Sequence, residues 1–175
     1  MRGVTWIGRS WWIAVLALAV GFVASVVAAD TELERRTLAG LTGVEVVVEP
    51  MDPAAEKDGL TTSTLRTDVE LKLRQAGIRV LTSDERLAAP GMPYLYLRVG
   101  TIKDEEGLYA YDIDLELKQE VRLTRNPALS LMATTWRVAG WVGTIGSRNL
   151  SKVRERVRDT VDQFINAYLA ANPKR

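Results

Sequence analysis

The sequence predicts an α+β domain. It is a mixed five-stranded sheet, a strand–helix–strand unit joined to a three-stranded antiparallel meander, with two main helices on one face. Three observations carry this. The β-branched run "GVEVVVEP" (43–50) precedes a helical stretch and a second short apolar run, "IRVLT" (78–82). From Tyr94 onward apolar and polar residues alternate with a period of two. The chain closes on a stretch from about Asn149 to Ala171 whose apolar residues recur at helical spacing.

Residues 1–29 read as an export signal. Arg2 and Arg9 are basic, no charge occurs from Ser10 to Ala29, and Val27 and Ala29 fit a small-x-small cleavage site before Asp30. The run is also long enough to cross a bilayer, which takes about 20 apolar residues. An uncleaved anchor is therefore the competing reading, and membrane contact is then confined to residues 10–29. In both cases the protein is expected to be exported by a bacterium, to the periplasm or beyond.

Residues 30–42 form a polar lead-in with two leucines, able to make a short helix, and residues 43–172 form one domain. The strand at 43–50 ends at Pro50, and a loop over 51–60 carries Pro53 and Gly59. A helix follows from about Thr62 to Ala76, capped by Thr61 or Thr62, with Leu65, Val69 and Leu73 on one face and Gly77 as its stop. The strand at 78–82 then completes a parallel crossover. "SDERLAA" reads as a helical turn capped by Ser83, and "PGMP" (90–93) as a loop.

The meander fixes its own register. Glu105-Glu106-Gly107 makes a three-residue loop with Gly107 at positive φ. Val99 then faces Ile113, Leu97 faces Leu115, Leu95 faces Leu117, and Arg98 meets Asp114 on the other face. "RNPA", with the bend at Pro127, is the next turn. Closing Thr124 on Leu129 sets Leu117 against Trp136, Leu115 against Val138, Ile113 against Gly140 and Glu116 against Arg137. Gly140 is then an inner-face glycine under the final helix.

The composition excludes several chemistries. The chain has no histidine and no cysteine. Disulfides, Ser-His-Asp and Cys-His nucleophiles and the usual zinc sites are therefore out of reach. The 23 basic and 22 acidic residues nearly cancel, and loss of Arg2 and Arg9 leaves one acid in excess. A nucleic-acid partner, which requires a basic surplus, is not expected. No cofactor or metal is expected either.

The order strand, helix, strand, short helix, meander, final helix resembles small envelope domains of the TolB amino-terminal type, the CsgG periplasmic domain and the LpoB-type activators of penicillin-binding proteins. The "LYAY" and "DQFINAYL" segments are similar to those of short exported bacterial proteins. The resemblance covers roughly residues 43–171 as an order of elements and places no functional residue on this chain. It implies protein–protein work in a bacterial envelope.

Five sets of residues invite a functional reading. Asp112, Asp114, Glu116 and Glu120 alternate on one strand, about 6.5–7 Å apart, a spacing at which carboxylate pairs hydrolyse glycosides; cross-strand pairing with Arg98 and Arg137 explains two of them more simply. "DEEG" (104–107) lacks the ligand spacing of a calcium loop, and Ser147, Ser151 and Lys152 lack an S-x-x-K motif. No catalytic residue is assigned. The run "GWVGTIGSRN" with Lys152 places Gly143, Gly146, Ser147, Arg148 and Lys152 where an anion would sit at a helix start, and the cations Arg148, Lys152, Arg154, Arg156 and Arg158 near that start oppose the helix dipole. Tyr94, Tyr96, Arg98, Arg137 and Trp141 share the sheet face away from the helices and form a candidate partner surface. The leading expectation is a non-enzymatic exported domain that binds an envelope protein or itself. The alternatives are a small anionic-ligand binder at 143–152 and, behind it, a carboxylate hydrolase.

Overall fold

The computed structural model describes residues 31–173 and, of Ala139, the backbone alone; the export signal or anchor lies outside the described residues. The elements run α1 (Glu32–Arg36), β1 (Glu45–Val48), α2 (Pro53–Lys57), α3 (Thr62–Gln75), α4 (Ser83–Ala88), β2 (Tyr94–Lys103), β3 (Leu108–Leu123), β4 (Asn126–Gly146), a 3-10 turn (Ser147–Asn149) and α5 (Ser151–Ala171). The fold is α+β. Its mixed sheet has the order β1-β2-β3-β4, with β1 and β2 parallel and the rest antiparallel. A fifth row adds to β1 where Val80 makes a parallel bridge to Val44.

Local chemistry sets the helix ends. Thr61 caps α3 by accepting from the Thr64 N–H, and Gly77 at φ +77° ends it. α4 is capped by Thr82, not Ser83: Thr82 and Glu85 form a reciprocal capping box. That cap shortens the fifth row. Only four residues separate Gly77 from Thr82, so the run at 78–82 is a single bridge, held by Val44 N–H to the Arg79 carbonyl (3.0 Å) and Leu81 N–H to the Val44 carbonyl (2.9 Å). The segment 51–60 holds one helical turn, α2, instead of loop alone, because Asp52 accepts from the Ala54 and Ala55 N–H groups and Pro53 pre-sets the first helical φ.

The β2–β3 hairpin has the expected register along its whole length, from Tyr94 opposite Lys118 to Lys103 opposite Tyr109. Gly107 stands at φ +84° in the turn. The β3–β4 hairpin keeps the expected register only at its centre, where Leu115 faces Val138, Glu116 faces Arg137 and Leu117 faces Trp136. The turn is not at "RNPA". It is Thr124-Arg125, closing Leu123 on Asn126, and residues 127–129 bow out before Ser130 pairs with Arg122. Pro127, which has no N–H, is tolerated because β4 is an edge strand.

A bulge between Ile113 and Leu115 corrects two further expectations. One extra residue on β4 puts Trp141, not Gly140, opposite Ile113. A one-residue slip exchanges the two faces. Gly140 therefore lies on the outer face, where a Cβ would stand 2.8 Å from Asp114 Oδ1, and makes no room for α5. Trp141 lies on the helix side of the sheet, under the Arg156 guanidinium, 4.9 Å from its ring centroid.

One core joins the inner sheet face to α3 and α5. Leu65, Val69 and Leu73 of α3 and Val153, Val157, Val161 and Phe164 of α5 are buried with Val46, Leu95, Leu97, Ile113, Leu115, Leu117 and Trp136. Trp136 meets Phe164 edge-on at 5.2 Å between ring centroids. The lead-in belongs to the same body: Leu38 is fully buried, and Asn172 accepts from the Gly40 N–H and donates to the Leu38 carbonyl. No described helix is long and apolar enough to cross a membrane.

Candidate functional site: the outer sheet face and the edge strand

The outer face carries the polar half of each alternating strand. Arg98 of β2 lies between Asp112 and Asp114 of β3 and donates to both carboxylates. The glycine beside them is required there, since a Cβ on Gly100 would overlap Asp112 Oδ1 and stand 3.0 Å from Arg98 Nη1. The Asp114 carboxylate, after it Asp112, holds the Arg98 guanidinium above its usual range. The expected Arg98–Asp114 pair thus gains a second carboxylate, and the two acids share one cation.

The neighbouring residues are engaged in the same manner. Tyr96 donates its hydroxyl to Glu49, just past the end of β1, with Lys118 stacked 4.3 Å from its ring centroid. The Glu49 hydrogen bond, assisted by burial, pushes the Tyr96 phenol up to about 12. Tyr94 stacks under Arg86, which itself pairs with Glu45. Glu116 stands opposite Arg137 but binds Thr134 Oγ1 (2.9 Å) and Lys118 Nζ (3.3 Å) instead. Arg137 is exposed. Tyr94, Tyr96, Arg98 and Arg137 therefore share the outer face as expected, while Trp141 does not join them.

Hydrogen bonds shift three carboxylates elsewhere in the fold. A general acid at neutral pH is a carboxyl held up in its range. Glu34, Asp58 and Glu85 are each held below the usual carboxylate range, Glu34 and Glu85 first by backbone N–H groups and Asp58 first by Lys103. Among the described residues no group of three acids could hold a metal ion.

The 143–152 segment is not a loop around an anion. Gly143 lies within β4 under the Tyr111 ring, where a Cβ would stand 2.9 Å from the phenol oxygen. Gly146 ends the strand, and the Ser147 N–H is taken by the Gly107 carbonyl at 3.0 Å. Of the cations near the start of α5, Arg154 makes two hydrogen bonds to Asp68 of α3 (2.9 and 3.0 Å) and Arg158 adds a third (3.3 Å). Lys72 of α3 pairs with Asp162 one turn further on. These charges fasten α3 to α5, which accounts for Arg154 and Arg158 near a helix amino terminus. Arg148 and Lys152 remain exposed, with no ion pair among the described residues.

Sequence reasoning missed two features. Asp58 of the α2 cap accepts from the buried Tyr109 hydroxyl (2.8 Å) and from Lys103 (2.7 Å), tying the first hairpin to the loop after β1. Nothing in the sequence spacing signals that contact. The other is the free edge of β4. Leu129, Leu131, Trp141 and Val142 are 53, 46, 38 and 84% exposed. Hydrogen bonding between Ser147 N–H and the Gly107 carbonyl sets the alternation along this end of β4. Trp141, Gly143 and Ile145 turn their N–H and C=O groups toward β3, whereas Val142, Thr144 and Gly146 turn theirs outward. No described strand lies beyond them. The run of Gly at 140, 143 and 146 beside apolar Trp141, Val142 and Ile145 is the signal that marks this stretch.

Compared with family models, curated proteins and solved structures, the chain matches none of them.

Proposed function

We propose that the protein is a non-enzymatic, exported bacterial envelope domain whose work is to bind protein, either another envelope protein or a second copy of itself. The observation that carries this reading is β4. It is a 21-residue edge strand with Leu129, Leu131, Trp141 and Val142 exposed along it. Exposed edges and apolar side chains are liabilities unless something pairs with them. The outer face supports the same reading more weakly, because Arg98, Tyr94 and Tyr96 are already engaged by neighbouring side chains. The element order resembling TolB-type envelope domains agrees with a binding role, and the signal-like residues 1–29 agree with export.

A photoreactive residue placed singly at Tyr96, Leu131 and Arg137 in the full chain, in intact cells, tests this. Covalent adducts at Leu131 are expected above those at Tyr96. Absence of any protein adduct at all three positions would sink the reading.

One observation favours the anionic-ligand alternative: Arg148 and Lys152, just before and at the start of α5, are exposed without ion-pair partners among the described residues. Inorganic phosphate at millimolar concentration would then raise the melting temperature, and Arg148→Ala would abolish the rise.

A further inference from the structure

We infer that two copies of this chain join edge to edge through the Trp141–Gly146 stretch of β4, antiparallel, about a two-fold axis at Gly143. This rests on the protein-binding reading and names its partner as a second copy. The first ground is self-complementarity, which a two-fold interface requires of its own surface. Read outward from Gly143, the sequence is Val142 and Thr144, then Trp141 and Ile145, then Gly140 and Gly146. Antiparallel pairing about Gly143 sets Val142 of one copy opposite Thr144 of the other, and Trp141 opposite Ile145. β-branched residues therefore meet on the outer face and apolar residues on the helix face.

The backbone meets the same requirement. Val142 and Thr144 are residues whose N–H and C=O groups point away from β3. In this register they exchange hydrogen bonds across the axis, as in any antiparallel ladder. Gly143 then faces its own copy in a non-hydrogen-bonded pair, where strands come closest. The absence of a side chain there is already enforced on each copy by the Tyr111 ring.

Charge leaves this stretch open. No charged residue lies between Arg137 and Arg148, whereas edge strands are ordinarily guarded by charge. Antiparallel pairing about Gly143 sets Arg148 of one copy opposite Val138 of the other and Arg137 opposite Asn149. Elsewhere β4 is guarded: Pro127 and the bowed residues 127–129 break its start, and bulges at Thr135 and at 139–140 break its middle. The 141–146 stretch is the unguarded part.

The chain has no cysteine, so any disulfide reports substitutions alone. Full-length Val142→Cys and Thr144→Cys chains, carrying tags of different size, are made separately and together in the same cells and oxidised with copper phenanthroline. In the inferred register these two positions are about 5.5 Å apart between Cα atoms, within disulfide range. Identical positions are about 8 Å apart and out of range. The expected result is a covalent dimer containing one of each chain, with neither variant dimerising alone. Failure of the mixed pair to crosslink, or crosslinking of Thr144→Cys by itself, would overturn the inference. A photoreactive residue at Val142 separates this from the broader reading. An adduct at twice the chain mass supports self-pairing. An adduct of another mass, or none, overturns self-pairing and leaves protein binding to be decided at Leu131. Thr144→Pro removes an outward N–H without touching the β3 ladder, and it should convert a two-chain native mass to a one-chain mass with the circular dichroism unchanged. A two-chain mass that persists would count against the edge.

Discussion

The two hairpins of the meander share β3 yet behave differently. Between β2 and β3 a single register runs unbroken from Tyr94 to Lys103. Between β3 and β4 the register shifts three times. The first hairpin is closed by a turn with its own chemistry. Gly107 takes positive φ, and Asp104 accepts from the Leu108 N–H at 2.7 Å. The second is closed by Thr124-Arg125, neither of which has positive φ. Two-residue hairpin turns that match strand twist need positive φ, so this turn does not pin the register and the strand bows beside it. The apolar row at the centre pins it instead. A register is thus set from the turn in one hairpin and from the core in the other.

If so, damage to that row should cost more than any change in the second turn. Trp136 is the anchor, nearly fully buried and edge-on to Phe164. Trp136→Ala is expected to destabilise by about 3–5 kcal/mol in urea unfolding. A loss below about 1 kcal/mol would mean that the row does not hold the hairpin. At the far end the same strand is fitted closely to β3. A methyl on Gly143 would press on the Tyr111 ring at 2.9–3.0 Å, whereas one on Gly146 meets nothing within 4 Å. Gly143→Ala should therefore cost about 1–3 kcal/mol, and Gly146→Ala should stay within about 0.5 kcal/mol. Equal losses would contradict the face assigned to Gly143. In the first hairpin the turn itself is the test. Gly107→Ala should cost about 1–2 kcal/mol, the penalty of a side chain in left-handed backbone, with the hairpin amide signals the first to lose protection from exchange.

The same contrast explains what could be read in the sequence. From Tyr94 to Gly100 and from Tyr111 to Lys118 the outward residues are charged, aromatic or glycine and the inward ones apolar or aromatic, so only one phase satisfies the pattern. In β4 the residues Val138, Trp141, Val142 and Ile145 are apolar on both phases. Alternation alone cannot say which face Trp141 takes, and a bulge costs the pattern nothing. The cue was Gly140, since a glycine inside a strand pattern marks a bulge as readily as a close helix. Pro127 misled for a related reason: it fits a turn, but it also fits an edge strand. Of the partner-surface residues, those on β2 were legible because their strand was. The cations of α5 were legible as charges but not as ties, because Asp68 and Asp162 become their neighbours only once α3 and α5 lie side by side.

The smallest expected effect lies in the well-registered hairpin and reads its outer face. Tyr96 donates to Glu49, and that bond raises the phenol from an unfolded value of 10.0 to about 12. The folded protein keeps the proton longer than the unfolded chain does. The associated stability is fully present below pH 10, falls as pH rises from about 10 to about 12, and is gone above that. Tyr109 and Tyr168 are also held up, Tyr109 first by burial and then by Asp58, and Tyr168 by burial. Alkaline unfolding of the native protein therefore reports all three. The difference between the native protein and Tyr96→Phe isolates one. It should be constant from pH 7 to pH 9 and narrow steadily between pH 10 and pH 12, because phenylalanine has no proton to lose. A difference that stays flat across that window would show that the Tyr96–Glu49 bond does not persist in solution, and that the tyrosine on this face is free to serve a partner.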